Sequence, residues 1–243
     1  LVGRDLTGVS LPRLRGMHRL RVGDHVTDVR SRGKYLEIEV ARGLVLRSHL
    51  RMTGSWDAYA PGQRWRKPRH LARAILEVPD AVVVCFAAPV VEVGWVGDGA
   101  LDHLGPDLCD EEVDIEEILR RVEAWADPRA EIADVLLDQR LAAGIGNVYK
   151  CEALFACRVD PFRPLAQVPD AVRRGLYETA HAQLRANLGR DRRRTLGDGL
   201  AVYGRDRQGC RVCGTGVRRT DQGVQGRQTW WCPRCQSGVN GER

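Results

Sequence analysis

Four cysteines near the end of the chain carry the clearest chemistry. Cys210 and Cys213 form one C-x2-C pair, Cys232 and Cys235 a second, and eighteen residues separate the pairs. Two residues between thiolates let both reach one tetrahedral metal at ~2.3 Å, and the intervening stretch is the length of a β-hairpin. So small a unit has little core, and a bound metal supplies its folding free energy. The spacing predicts one zinc ion in a closed, structural site with no open position for catalysis. Cys85, Cys109, Cys151 and Cys157 lie singly among apolar neighbours and are expected to be reduced core residues.

The 243 residues carry a formal charge of +6, and its distribution matters more than its size. From Arg190 to Arg243, twelve arginines face five acids, so an excess of seven sits in this stretch. A concentration of this kind suits a polyanionic partner. Lysine is confined to Lys34, Lys67 and Lys150. Arg227 stands five residues before Cys232, where a hairpin arginine could clamp a phosphate or simply be solvated. Gly144-Ile145-Gly146-Asn147 is a glycine turn of the kind that lets a backbone approach a phosphate ahead of a helix N-terminus.

The elements that position these groups follow two periods. From Val26 to about Val93 the pattern is of strands: Tyr35 to Val40 alternates, with Leu36, Ile38 and Val40 on one face and charge on the other. Apolar runs recur at 44–46, 74–78 and 82–86, which suggests a sandwich or barrel. After Leu104-Gly105-Pro106-Asp107 comes an acidic stretch, Asp110 to Glu117, read as helix-start charge and a solvated face. Helical spacing follows, in Ile132, Leu136 and Leu137 on a helix ending near Gln139, and in Val172, Leu176, Ala180, Leu184 and Leu188 on a longer one. No run approaches the ~18 apolar residues of a membrane helix. No signal peptide is recognisable, and the chain is expected to be soluble and intracellular.

Taken in order, Arg32-Gly33-Lys34, Ser48-His49-Leu50-Arg51-Met52-Thr53-Gly54, Leu104–Asp107, Leu136–Gln139 with Gly144–Tyr149, and Cys232-Pro233-Arg234-Cys235-Gln236 resemble the formamidopyrimidine-DNA glycosylase and endonuclease VIII family of base-excision repair enzymes. The resemblance implies an α+β multidomain protein: an N-terminal β-sandwich (1–105), a helix–two-turn–helix domain (106–195), a zinc β-hairpin (200–236) and a tail (237–243), with DNA between the domains. It implies double-stranded DNA carrying damaged bases or abasic sites as the partner. The damaged nucleotide is flipped out of the stack, and an N-terminal proline amine attacks C1′ to form a Schiff base beside an acid–base glutamate. By position, Lys34 corresponds to the lysine that contacts phosphate and assists β-elimination, Arg227 to the hairpin arginine of δ-elimination, and Asn147 to a backbone-contacting asparagine, with Tyr149 of the same segment also expected at the DNA. Arg51 or Met52 stands where a side chain fills the gap left by the flipped base. His103 replaces a DNA-contacting arginine of relatives. The segment 85–92 lacks the Arg-Phe-Gly of the purine-lesion branch, which favours the endonuclease VIII-like branch and oxidised pyrimidines.

The family's opening proline–glutamate and its helix have no counterpart: Leu1 to Thr7 resembles the stretch just beyond them. A truncated enzyme, unable to act as a lyase as written, and a non-catalytic binder of damaged DNA therefore both remain open. A zinc-ribbon transcription or ribosomal factor is disfavoured by the motifs upstream of the ribbon. The expected setting is a monomer in the bacterial cytoplasm, on the nucleoid when bound.

Overall fold

The computed structural model describes residues 1–14, 19–125, 127–190, 192–224 and 226–237, so residues 238–243 of the expected tail lie outside it. The chain divides into two compact units, Leu1–Leu101 and Asp102–Arg243.

The first unit is a sandwich of two antiparallel sheets. One orders β2 (Val26–Arg32), β3 (Tyr35–Val40), β4 (Leu44–His49) and β8 (Val90–Trp95). The other orders β1 (Gly8–Ser10), β6 (Ala72–Val78), β7 (Ala81–Phe86) and β5 (Ser55–Tyr59). Ile38, Val40 and Leu46 from the first sheet meet Ala74, Leu76 and Cys85 from the second in the main core. The outer face of the second sheet is also apolar: Ile75, Val84 and Phe86 lie under Trp65 and Tyr59. Two buried faces explain why its strands read as unbroken apolar runs rather than as alternation.

The charged face of β3 is not a solvent face. Glu37 is 3% exposed because Arg47 of β4 covers it, donating from Nε to Glu37 Oε1 at 2.8 Å and from Nη1 to Asp98 Oδ2 at 2.8 Å. Arg47 Nη2 adds a bond to the Trp95 carbonyl at 3.1 Å, and Arg30 holds the other Glu37 oxygen at 3.2 Å. Every ion in this cluster is bonded on more than one side, which is what makes its burial tolerable.

In the second unit, α1 (Ile115–Glu123), α2 (Ile132–Leu137), α3 (Asn147–Ala156) and α4 (Asp170–Ala186) surround a core that includes Leu136, Ile145, Leu154, Leu176 and Tyr177. The acidic stretch starts α1 as expected: Asp114 Oδ1 accepts from Glu117 N at 2.9 Å, and Glu117 pairs with Arg120 and Arg121. Two expectations are corrected. Helix α4 ends before Leu188, which is 53% exposed. Asn187 turns the chain there, exchanging side-chain bonds with the Arg194 carbonyl (2.9 Å) and N–H (2.7 Å). Helix α2 ends at Leu137, leaving Gln139 in the following loop. The hairpin β9 (Arg218–Gln222) and β10 (Arg227–Trp231) belongs to this same unit, with Trp230 and Val217 packed on Cys151 and Phe155 of α3. The division at Leu101 falls a little before the expected boundary at 105, because Gly105 N already donates to Gln139 O at 2.8 Å. No helix among the described residues is long and apolar enough to cross a membrane.

Arg47→Met should strand Glu37 and lower the stability of the sandwich by about 3 kcal/mol, the scale of a broken buried pair. Replacing Glu37 by Gln in the same protein should recover part of that loss. Urea denaturation followed by sandwich tryptophan fluorescence measures both. Arg47 also holds the Asp98 carboxyl below the usual carboxylate range, so this contribution is present at neutral pH and disappears as the solution is acidified through that lowered pKa.

Candidate metal centre and nucleic-acid interface

The sulfurs of Cys210, Cys213, Cys232 and Cys235 all lie within 4.8 Å of one another. Sγ of Cys210 and Cys235 are 3.9 Å apart, and Sγ of Cys213 and Cys232 are 3.5 Å apart. Four thiolates at ~2.3 Å from one tetrahedral metal stand about 3.8 Å apart, so the donor set fits a metal ion closely. Two backbone N–H groups point at the sulfurs, Val212 N to Cys210 and Cys235 N to Cys232, each at 3.4 Å, as suits thiolate acceptors. Without a cation, burial and the neighbouring thiols hold Cys235 above the ordinary range.

The four-cysteine hairpin is docked on a polar face of α3. Glu152, 1% exposed, accepts from the backbone N–H groups of Ala201 (2.7 Å), Val202 (2.9 Å) and Tyr203 (2.8 Å) and from the Thr195 hydroxyl. Its carboxylate thereby fixes the chain entering the ribbon. Lys150, also 1% exposed, donates to Thr229 Oγ1 at 2.7 Å and to Gln228 O at 3.3 Å. Burial pushes its ammonium below the usual lysine range. Thr229 passes the chain of bonds to Gln222 (2.5 Å), whose amide donates to Glu131 (2.7 Å) and Pro161 O (3.0 Å). Gln236 closes the far side, accepting from Cys232 N at 2.9 Å and donating to Val159 O at 2.9 Å.

At the start of α3, Asn147 Nδ2 donates to Gln228 O at 2.7 Å. Arg227 directly precedes that residue, so the structure brings these two predicted residues to one edge. Gly146 caps the helix without a side-chain bond, and no acid lies in the first turn. The positive end of the helix is therefore left for an anion. The turn leading in is held by Gln139, whose Nε2 donates to Leu137 O (2.8 Å) and Ile145 O (3.0 Å) while Oε1 accepts from Gly144 N (3.1 Å). Gly144 has φ +103°, and Gly105 packs so closely on the Leu141–Ala142 backbone that a Cβ would not fit. Tyr149 differs from its neighbours: it is 8% exposed, packed in the helical core, with the Arg193 guanidinium near its phenol.

The sandwich carries a separate group. Lys34, at the β2–β3 turn, and Arg51 both lie close enough to His49 to disfavour its protonation, after burial, which is the larger cause. His49 Nδ1 accepts from Arg51 N at 3.2 Å and its ring meets Tyr35 edge-on at 4.8 Å. Arg51 adopts φ +46°, and the next residue, Met52, stands 84% exposed. His103 is an exposed turn residue just past the division between units.

Sequence reasoning gave no role to His49, Glu152 or Lys150 and quoted Gln139 only as part of a motif. The scarcity of lysine was the one signal that singled out Lys150. Gln139→Ala should release the 144–147 turn, at a cost of about 1–3 kcal/mol for the orphaned groups. Faster amide exchange at Gly144 to Asn147, with the four-cysteine hairpin still protected, is the expected readout.

Residues 1–89 match the family described as formamidopyrimidine-DNA glycosylase N-terminal domain, and residues 104–195 the formamidopyrimidine-DNA glycosylase H2TH domain. A protein named probable endonuclease 8 2 from Streptomyces coelicolor is 44% identical over 224 residues, covering 89% of this chain and 80% of its own. An endonuclease 8 2 from Mycobacterium bovis is 38% identical over 97% of this chain and 93% of its own. Among solved structures, the MutM (Fpg) protein of Thermus thermophilus aligns with a TM-score of 0.78 at 30% identity, covering 99% of this chain and 94% of that one. With both domains matched and the four-cysteine hairpin in place, the chain belongs to the formamidopyrimidine-DNA glycosylase and endonuclease 8 family.

Proposed function

We propose that this protein works in base-excision repair as a DNA glycosylase with lyase activity at abasic sites, acting as a monomer on double-stranded DNA in the bacterial cytoplasm. The observation that carries this reading is the meeting of Asn147, Arg227 and the uncapped start of α3 at one edge of the metal-bearing unit. A neutral amide, a guanidinium and a helix N-terminus together suit a DNA phosphate. The names of relatives support the chemistry: one from Mycolicibacterium smegmatis, 37% identical over 88% of this chain, is called a DNA-(apurinic or apyrimidinic site) lyase.

In this reading Asn147 and Arg227 grip the backbone beside the lesion, and Arg227 also assists δ-elimination. Lys34 contacts phosphate and assists β-elimination, and beside it burial and the two cations disfavour protonation of His49. Met52, exposed on a strained Arg51 turn, fills the space of the flipped base. His103 is a weaker DNA contact, and Tyr149, largely packed in the helical core, adds a contact from the same segment as Asn147. The substrates are oxidised pyrimidines and abasic sites, processed by β,δ-elimination. The resident metal is one zinc ion, held by Cys210, Cys213, Cys232 and Cys235, which supplies folding energy to the hairpin and takes no part in bond breaking. The attacking amine is assigned to none of the residues described above.

Lys34→Ala and Arg227→Ala should each depress strand cleavage at an abasic site at least tenfold more than they weaken binding. Equal losses in the two would remove them from the elimination steps. Borohydride trapping followed by peptide mapping should locate the adduct away from Lys34, Lys67 and Lys150; an adduct at Lys34 would make that residue the nucleophile. Elemental analysis should find one zinc per chain. Cys232→Ser should lose it and unfold the hairpin while the sandwich keeps its own denaturation transition.

A further inference from the structure

Between α4 and the ribbon the chain passes through Arg190, Arg192, Arg193 and Arg194, with Asp191 the single acid among them. A charge run of this kind is ordinarily a solvated loop. This one is pinned. The Asn187 side chain bonds both the N–H (2.7 Å) and the carbonyl (2.9 Å) of Arg194, and a further bond to Gln183 O at 2.7 Å ties it back to α4. Thr195 follows, with its hydroxyl on the buried Glu152 carboxylate and its N–H on Gly199 O at 2.9 Å. Arg193 is therefore an exposed side chain on backbone that is fixed at the next two residues.

Its guanidinium lies within hydrogen-bonding reach of the Tyr149 phenol. Tyr149 is two residues beyond Asn147 on α3, and two steps along a helix turn a side chain about 200°. The two residues thus leave the start of α3 on opposite sides, Asn147 meeting the hairpin at Gln228 and Tyr149 meeting the arginine segment. Cys109 also lies near that phenol, and the acids beside it in the chain have partners of their own: Asp107 Oδ1 accepts from Cys109 N at 2.9 Å, and Arg185 stands close to Asp110. Arg194 is close to Asp198, whereas no carboxylate among the described residues pairs with Arg193. A phenol oxygen is a neutral acceptor: it orients a guanidinium without cancelling its charge and leaves most of its donors for a ligand.

We propose that Arg193 is a further DNA contact, oriented by Tyr149 to take the phosphate next along the strand from the one gripped by Asn147 and Arg227. A planar guanidinium pairs with two phosphate oxygens at once. Adjacent phosphates held on opposite sides of one helix start fix the direction of the strand as well as its position. Tyr149 is then the positioning residue and Arg193 the one that meets DNA. The inference rests on Asn147 and Arg227 being backbone contacts.

Salt titrations of the metal-loaded protein on a duplex with a stable abasic-site analogue test it. Arg193→Gln should weaken binding about tenfold and lower the slope of log Kd against log salt by about 0.9, the share of one phosphate. Arg4→Gln removes the same charge from an exposed ion pair of the sandwich and should cost less than about twofold. Tyr149→Phe keeps the ring and loses the oxygen; it should weaken binding about threefold alone and add nothing once Arg193 is glutamine. Duplexes with one methylphosphonate at a time locate the contact. Arg193→Gln should become indifferent to neutralisation of one phosphate, and Asn147→Ala to that of its neighbour. Equal losses for Arg193→Gln and Arg4→Gln, or additive losses for Tyr149→Phe and Arg193→Gln, would overturn the proposal. Unchanged affinity for Asn147→Ala and Arg227→Ala would instead sink the backbone-contact reading. A clear Asn147 effect, with Arg193→Gln binding and responding to salt like the wild type, sinks only the role given to Arg193.

Discussion

The burial of charge on helix α3 governs the second unit. Lys150 and Glu152 sit two residues apart on a ten-residue helix, each 1% exposed, and each is satisfied by chain that arrives much later in the sequence. Glu152 collects three backbone N–H groups from residues 201–203, and Lys150 collects oxygens from β10. Left without those partners, either ion would cost several kcal/mol. The hairpin cannot drift from the helix without exposing that cost, so a small element with little core of its own is held in register with the start of α3. This coupling is what brings Arg227 beside Asn147.

The sandwich solves a similar problem in another way. Arg47 and Glu37 lie on the outer face of one sheet, and the turn after β8 folds over them so that Asp98 and the Trp95 carbonyl complete the arginine's bonds. Gly94 leaves the room that this requires, since a Cβ there would strike the Asp98 carboxylate and the guanidinium. In both units, these buried ions are each bonded by more than one partner. Such sites fix geometry more than they add stability, because an apolar replacement of the whole cluster would hold the fold as well.

Much of this was legible in the residues. The cysteine spacing located the metal site, since two thiolates two residues apart have few other uses, and the alternation in β3 gave the inward face through Ile38 and Val40. The acidic stretch before α1 is legible because capping chemistry is local. What escaped notice depends on partners far apart in sequence. Glu37 looks like a solvent-facing strand residue until Arg47 and Asp98 are folded over it. Leu188 fits the helical period of α4, but the Asn187 side chain competes for the backbone there and ends the helix first. Tyr149 stands two residues past Asn147, and two steps around a helix turn a side chain about 200°, so its ring packs in the core where the pattern alone gave no sign of it.

The distance along the chain between α3 and its partners has a consequence in time. Asn147 and its hairpin partner are 81 residues apart, and Glu152 and Thr195 are 43 apart. At ~5–20 residues per second of synthesis, a nascent α3 would wait about 4–16 s for the hairpin that neutralises its buried face. The sandwich has by then all of its strands. The two units of this protein are thus born in different conditions, one able to close as it emerges and the other kept open until the four-cysteine hairpin has been made.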